Sequence, residues 1–283
     1  MKLIIGTAQF GMKYGVAGNG NFNQEKVNNF LNLAITNNIN IIDTAPGYGN
    51  AHLKIGESGI KNLDIITKLP KLNLKSNIYK EIKSNVNKYI ETLNCKKLYC
   101  LLLHNASDIL SSYGRDIYLA LSMLKEEGLI EKFGVSTYEL GELNSIVDNF
   151  EIDVVQHPIN ILDRRLENSG ILKKLNNNGI EVHCRSVFLQ GLLLLNLENI
   201  GSKFYPFKKD LLKINDFSIK ANKTIQEICL SYVLNIKTIS KIIVGIDNEK
   251  QLKEIIKIFN TMEVINIPEF KISNERILDP RKW

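Results

Sequence analysis

Little in this chain commits it to a special environment. Four cysteines occur in 283 residues (Cys95, Cys100, Cys184 and Cys229), and no two form a Cys-x-x-Cys pair. Three of them sit in apolar segments, where cysteine acts as a small core residue. A disulfide framework and a structural zinc are therefore not expected, and a reducing compartment is. The four histidines show no His-x-x-x-His spacing, so no metal site is expected. Lysine and arginine (36) exceed aspartate and glutamate (30) by only six, with no run of five or more like charges. That excludes a nucleic-acid arm, while a mildly basic surface suits an anionic cofactor or substrate. Long apolar runs are also missing. The most apolar stretch, Val187 to Leu197, is broken by Gln190 and Gly191, and the N-terminal apolar stretch is too short for a signal-peptide core. A cytoplasmic protein without membrane partners is the expectation. The glycine-rich dinucleotide fingerprint is absent as well.

What is present is alternation. Short apolar runs at Leu3–Ile5, Ile39–Ile42, Leu63–Thr67, Leu98–Leu103, Lys132–Val135, Val154–Gln156, Ile180–His183 and Lys241–Val244 read as strands. Between them lie segments with helical spacing of apolar residues. Val27, Phe30, Leu31 and Ala34 make one face, Ile78, Ile82, Val86, Tyr89 and Ile90 another, and Leu252, Ile255, Ile256 and Phe259 a third. Such alternation implies a parallel sheet. Eight repeats in 283 residues favour a closed (β/α)8 TIM barrel, which takes about 250 residues, as a single α/β domain over residues 1–283. A long loop is expected at about 196–211, after the seventh strand, and an irregular tail at 260–283, wrapping the barrel.

Chemistry in such a barrel belongs at the C-terminal strand ends. The polar residues there form a coherent set. Asp43 ends the second strand, with Tyr48 five residues on, Lys68 ends the third, His104 the fourth and Gln156 the sixth. Each alone reads as a strand-end ion pair, a core histidine or packing; four converging on one mouth read as a site.

These residues resemble the aldo-keto reductases along nearly the full length. Gly6-Thr-Ala-Gln-Phe-Gly11 is similar to the family's opening strand and turn, and Asp43-Thr-Ala-Pro-Gly-Tyr48-Gly to its most specific signature. Ile66-Thr-Lys68 and Leu101-Leu-Leu-His104 resemble the lysine and histidine strands. Gly128 to Ser136, Val155 to Asn160, Val244 to Asn248 and Gln251 to Glu254 resemble the cofactor segments. The resemblance implies hydride transfer from NADPH, or alternatively NADH, to a small-molecule carbonyl. Tyr48 is the implied general acid, its pKa lowered by Lys68. Asp43 would keep Lys68 charged, and His104 would orient the carbonyl. Ser136 and Gln156 are expected on the nicotinamide carboxamide. Gly6, Thr7, Arg185, Ser186, Gly191, Gly245, Asn248, Gln251 and Glu254 are expected along the rest of the cofactor, with Gly245 admitting the phosphates to the backbone.

Departures from the family pattern are Ala51-His52 after Gly49, Thr137 after Ser136, and Ile255 after Glu254. Lys241 or Lys250 would serve a 2′-phosphate, with Asp247 opposing. His52, His157 and His183 read as packing or solvated, and Tyr14 and Trp283 as cleft caps or anchors. Arg185 to Leu193 and the terminal Asp279 to Trp283 resemble a bacterial subset linked to surface-sugar biosynthesis. A sugar or nucleotide-sugar carbonyl would suit Arg185, Tyr205, Lys208 and Lys209. The competing readings are a slow, nucleotide-sensing regulatory barrel and a Schiff-base aldolase using Lys68, the latter opposed by Asp43. A monomer or small homo-oligomer is expected.

Overall fold

The alternation of short apolar runs with amphipathic ones becomes eight parallel strands in the computed structural model, which describes residues 1–16, 18, 22–72, 77–261 and 263–283. The strands are β1 (Leu3–Gly6), β2 (Ile41–Asp43), β3 (Asp64–Leu69), β4 (Leu98–Leu103), β5 (Ile130–Ser136), β6 (Val154–Pro158), β7 (Glu181–Arg185) and β8 (Lys241–Gly245). They pair in chain order and close, with Leu3 of β1 opposite Ile242 of β8 and Gly6 opposite Gly245. The result is a single (β/α)8 barrel. Most strands run further toward their C-terminal ends than the apolar runs suggest. Asp43, Lys68, Ser136, Gln156 and Arg185 all lie within strands, because the barrel interior supplies hydrogen-bond partners for them.

The helices are α1 (Ala8–Gly11), α2 (Gln24–Thr36), α3 (Ala51–Glu57), α4 (Ile78–Leu93), α5 (Gly114–Glu126) and α6 (Leu140–Asn149). They continue as α7 (Arg165–Asn168), α8 (Ile171–Asn177), α9 (Lys208–Ala221), α10 (Ile225–Asn235) and α11 (Glu249–Thr261). In α4 the apolar stripe Ile78, Ile82, Val86, Tyr89 and Leu93 is buried against the barrel. Asn77 starts the helix by accepting from the Lys80 N–H, and Asn94 ends it in the left-handed region at φ 52°. Each such side chain contributes about 1.5–3 kcal/mol on burial.

Two apolar layers result. One lies between the strands and the helices. The other fills the barrel with Ile4, Ile41, Ile66, Cys100, Leu102, Val154 and Ile243. Below it, at the N-terminal strand ends, Lys132 pairs with Glu181 at 2.6 Å and bonds the Tyr99 hydroxyl at 2.8 Å. Above it the interior turns polar again, at the mouth where the strands end.

The segment expected as a loop over 196–211 is shorter than that. Two 3-10 turns, Leu197–Asn199 and Ser202–Phe207, lead directly into α9 at Lys208, so the last four residues are helical. Asp210 explains the early start: it is buried on α9 and accepts from Ser273 N–H and Oγ and from Lys213. Helix α11 likewise extends to Thr261, just inside the expected tail. Beyond it the chain runs back over α9 and α10, with Arg164 donating to the Pro268 carbonyl and Lys213 to that of Lys271. It ends with Trp283 packed edge-on against Phe204.

Candidate active site

The loop after β2 carries Tyr48, and backbone packing fixes it. A Cβ on Gly11 would lie 1.8 Å from the Tyr48 carbonyl oxygen, and one on Gly49 would lie 2.2 Å from the Gly11 carbonyl oxygen. Gly49 also sits at φ +57°, so glycine serves both close approach and turn here. Thr7 clamps the same corner from β1, its N–H and hydroxyl both donating to the Asp43 carbonyl at 3.0 Å.

Beneath Tyr48 lies a buried polar chain. Lys68, 1% exposed, donates to Asp43 Oδ1 at 2.6 Å and to the Thr44 carbonyl at 3.0 Å. Asp43 Oδ2 accepts from Gln156 Nε2 at 2.8 Å, and Gln156 Oε1 accepts from Ser136 Oγ at 3.4 Å. A buried ion pair is tolerated when its remaining lone pairs and protons are satisfied in this way. Lys68 Nζ lies 5.3 Å from the centre of the Tyr48 ring, and the Tyr14 ring is 6.4 Å from it.

The electrostatics differ from the sequence expectation. The Tyr48 phenol is pushed above its usual range, first by burial and then by the Asp43 carboxylate, with Arg185 opposing. Burial and Asp43 together outweigh Arg185, so Tyr48 rests protonated. His104 is held below its usual value by burial and by Lys68, so its imidazole is neutral at pH 7 and carries one N–H. Burial raises Tyr14 to about 12.

These groups open into a cleft of ≈ 870 Å³. Its walls include Tyr48, Lys68, Asp43, His104, Gly6, Thr7, Ser136 and Gln156, and also Arg185, Ser186, Gly191, Gly245, Gln251 and Glu254. Asn248 is not among them. Its side chain accepts from the Gln251 N–H at 2.9 Å and starts α11. Neither proposed 2′-phosphate lysine reaches the cleft. Lys241 opens β8 at the opposite end of the barrel, and Lys250 is exposed on α11. Tyr205, Lys208 and Lys209 also lie outside it, and Trp283 is an anchor, its Nε1 donating to the Arg276 carbonyl. Tyr14 does line it.

Gly245 lines the cleft, and a Cβ there would lie 2.7 Å from Gln9 Nε2, so the glycine also leaves space for the Gln9 side chain. Two of the departures settle into packing, while Ile255 lines the cleft. His52 Nε2 lies 3.0 Å from Thr67 Oγ1 and burial lowers it to about 4. The Thr137 hydroxyl is 2.8 Å from His157 Nδ1, and burial lowers His157 to about 3. His183 bonds Glu181 at 3.1 Å.

Sequence reasoning missed Gln9, Tyr138, Glu139, Glu142 and Arg281 as cleft residues. Gln9 was legible inside the quoted opening motif. Arg281 was not, since only the docking of the tail brings it over the Tyr138 ring, 3.7 Å from its centre. The loop after β7 is the most contorted part of the wall, with Ser186, Leu189 and Gln190 at φ 60°, 45° and 54° and Gly191 at 89°. Val16 N–H bonds the Gln190 carbonyl at 2.8 Å, joining this loop to the one after β1.

A closed (β/α)8 barrel with Asp, Tyr, Lys and His gathered at its C-terminal mouth defines the class: an oxidoreductase that acts on carbonyls. The chain belongs to the aldo/keto reductase family, whose sequence profile matches residues 2–274. It is 24% identical to the NADH-specific methylglyoxal reductase of Escherichia coli (strain K12), over 90% of this chain and 89% of that one. It is 23% identical to the L-galactose dehydrogenase of Arabidopsis thaliana, over 86% and 81%. Among solved structures, an aldo-keto reductase of Bacillus halodurans in its holo form superposes with a TM-score of 0.76 at 19% identity, over 93% and 88%. The glycerol dehydrogenase of Gluconobacter oxydans superposes with a TM-score of 0.72 at 19% identity, over 93% and 87%. At that identity the superpositions speak for the fold alone. The family uses nicotinamide cofactors.

Proposed function

We propose that this protein reduces a small polar carbonyl, such as a sugar derivative, to an alcohol with Tyr48 as general acid and NADH as the preferred cofactor. The observation that carries the reading is the Lys68–Asp43–Gln156 chain set beneath Tyr48, with His104 opening on the same cleft.

Bound cofactor supplies the hydride; the chain's residues supply position and a proton. Tyr48, kept protonated by burial and by Asp43, donates to the carbonyl oxygen as negative charge develops there. Neutral His104 offers one N–H to the same oxygen and fixes its direction. Gln156 Nε2 is committed to Asp43, so its Oε1 and the Ser136 hydroxyl are what remain to hold the carboxamide. Ser186, Gly191 and their loop would hold the pyrophosphate, with Gly6 and Thr7 at the end of β1 lining the same cleft.

The cleft fits a dinucleotide, and its unsatisfied atoms choose between the two. Gln9 Oε1 and Asp247 Oδ1 are buried acceptors without a partner among the described residues. They need donors, which ribose hydroxyls are and a 2′-phosphate is not. Around β8 and α11 the cleft presents Asp247, Gln251 and Glu254, and its described cations, Lys68, Arg185 and Arg281, all lie on other elements. The expectation of NADPH came from the family resemblance, and the two lysines that would have served its 2′-phosphate do not line the cleft. The NADH-specific E. coli relative points the same way.

With Tyr205, Lys208 and Lys209 outside the cleft, a nucleotide-sugar phosphate loses its contacts. The remaining wall of Tyr14, Tyr138, His104 and Asn105 suits a hydroxylated aliphatic carbonyl. The protein is placed in the cytoplasm, as a monomer or small homo-oligomer.

Fluorescence titration with NADH and NADPH tests the cofactor, and turnover of methylglyoxal and of open-chain aldoses tests the reaction. Tighter NADH binding is expected, with turnover reduced about a hundredfold or more in Tyr48→Phe. Binding without turnover of any carbonyl would leave a nucleotide-sensing barrel instead. Tighter NADPH binding would overturn the cofactor assignment.

A further inference from the structure

Glu181, His183 and Arg185 alternate along β7 onto its inward face, since successive side chains in a strand point to opposite sides. His183 is in register with Gln156 of β6, and Gln156 with Ser136 of β5. Arg185 therefore stands one strand step above the layer that holds Gln156 and Ser136, about 7 Å by strand geometry. Its guanidinium does not point straight out. Nη2 reaches past β6 and donates to the Thr137 carbonyl at 3.0 Å, next to Ser136, and the guanidinium carbon lies 4.0 Å from the Tyr138 ring centre. Nη1 donates to Ser186 Oγ at 3.3 Å. The side chain thus bridges the mouth from β7 to β5, roofing the pocket that Ser136 and Gln156 floor.

Among the described residues no carboxylate forms an ion pair with Arg185. The other two cations of the cleft are paired, Lys68 with Asp43 and Arg281 with Asp279 and Glu139. The hydrogen-bond and stacking partners of Arg185 are a carbonyl, a hydroxyl and a ring, all neutral, and its Nε is buried without a partner. A permanent cation held by neutral groups acts on whatever enters beneath it, since no carboxylate neutralises it in a pair.

We propose that Arg185 distinguishes the two redox states of the bound nicotinamide, disfavouring the positively charged oxidised ring relative to the neutral reduced one. The inference rests on the reading above, that Ser136 and Gln156 receive the nicotinamide. Two positive charges about 7 Å apart at a partly open surface repel enough to shift an equilibrium about tenfold. The reduced form binds more tightly by that factor and the oxidised form leaves more readily, which suits an enzyme working toward the alcohol. Arg185 is in this sense a specificity-determining residue for the redox state and takes no proton.

Calorimetric titration of NADH, NAD⁺ and ADP-ribose into the wild type, Arg185→Lys and Arg185→Gln tests it, with circular dichroism as the folding control. In Arg185→Gln the preference for NADH over NAD⁺ is expected to shrink about tenfold, while ADP-ribose, which lacks the ring, binds as before. Arg185→Lys retains most of the preference. Should Arg185→Gln not fold, Arg185→Met, which keeps the aliphatic stem, takes its place. An unchanged NADH/NAD⁺ ratio in the neutral variant overturns the proposal. So does an equal loss of affinity for all three ligands, which would make Arg185 a pyrophosphate anchor. If the wild type binds none of the three, the failure belongs to the proposed function itself.

Discussion

The two halves of the barrel mouth are finished to different degrees. On the side of β2, β3 and β6 the side chains largely satisfy one another: both Asp43 oxygens accept, Lys68 has two acceptors, and Gln156 is held at both ends, with the Thr44 hydroxyl and His157 Nε2 left over among the described residues. On the side of β7, β8 and β1 the wall is incomplete. Gln9 Oε1, Asp247 Oδ1 and Arg185 Nε are buried without partners, and three non-glycine residues hold left-handed backbone. The first half is set before any ligand arrives, as a reaction that depends on placement needs. The second half carries strain and unpaired atoms, each costing about 1–3 kcal/mol, which a ligand of the right chemistry relieves.

If the first half is self-sufficient, removing one member does the largest damage. Asp43→Ala leaves the Lys68 ammonium buried without its carboxylate and is expected to cost about 3–5 kcal/mol of stability. Denaturant unfolding reads this directly. Adding Lys68→Met to Asp43→Ala should restore most of that stability without restoring turnover. A double variant as unstable as the single one would break the idea that the unpaired charge is the cause.

Gly11→Ala tests placement rather than charge. The new Cβ would meet the Tyr48 carbonyl oxygen at 1.8 Å and the Ala51 nitrogen at 2.5 Å, both backbone, so the Tyr48 loop must move. A loss of about 1–3 kcal/mol is expected. Because a shift of about 1 Å can cost as much as a hundredfold, kcat/KM should fall further than stability suggests. The Kd for NADH should stay near the wild-type value, since Gly11 is no part of the cofactor wall. Equal losses in Kd and kcat would show that the two halves are not separable.

The same contrast governs what the sequence revealed. Strand-helix alternation and the Asp43, Tyr48, Lys68 and His104 set were legible because each lies in or just beyond an apolar run whose end can be seen. The rest depended on events between distant segments. Arg281 enters the cleft because Trp283 and Asp210 seat the tail, and Asp247 shares the cleft wall with Gln9 of α1, far from it in sequence. Lys241 was misjudged for a simpler reason: a strand has two ends, and the residue sits at the one without chemistry. Asn248 lost its cofactor role to a local one, the start of α11, which a short polar side chain before a helix always competes for.

Asp247→Asn gives the smallest effect and the sharpest view of the unfinished half. Burial raises the Asp247 carboxyl above its ordinary value, with Gln251 and Gln9 opposing. A carboxyl raised on folding binds its proton more tightly in the native state. Its ionisation is therefore unfavourable to folding, a penalty that sets in as pH climbs through the ordinary carboxylate range and is complete above the folded-state value. Replacing it with the neutral amide should stabilise the free protein slightly at pH 7, by less than about 1 kcal/mol, and change little at pH 3, where the native acid is protonated. The two melting curves at those pH values check the sign. The same substitution removes an acceptor proposed for a ribose hydroxyl, so NADH affinity should fall while the discrimination against NADPH weakens. A variant that gains stability and loses affinity together would mean that Asp247 is retained for its ligand at the expense of the fold. One that loses both would place it with Asp43, among the groups the protein needs for itself.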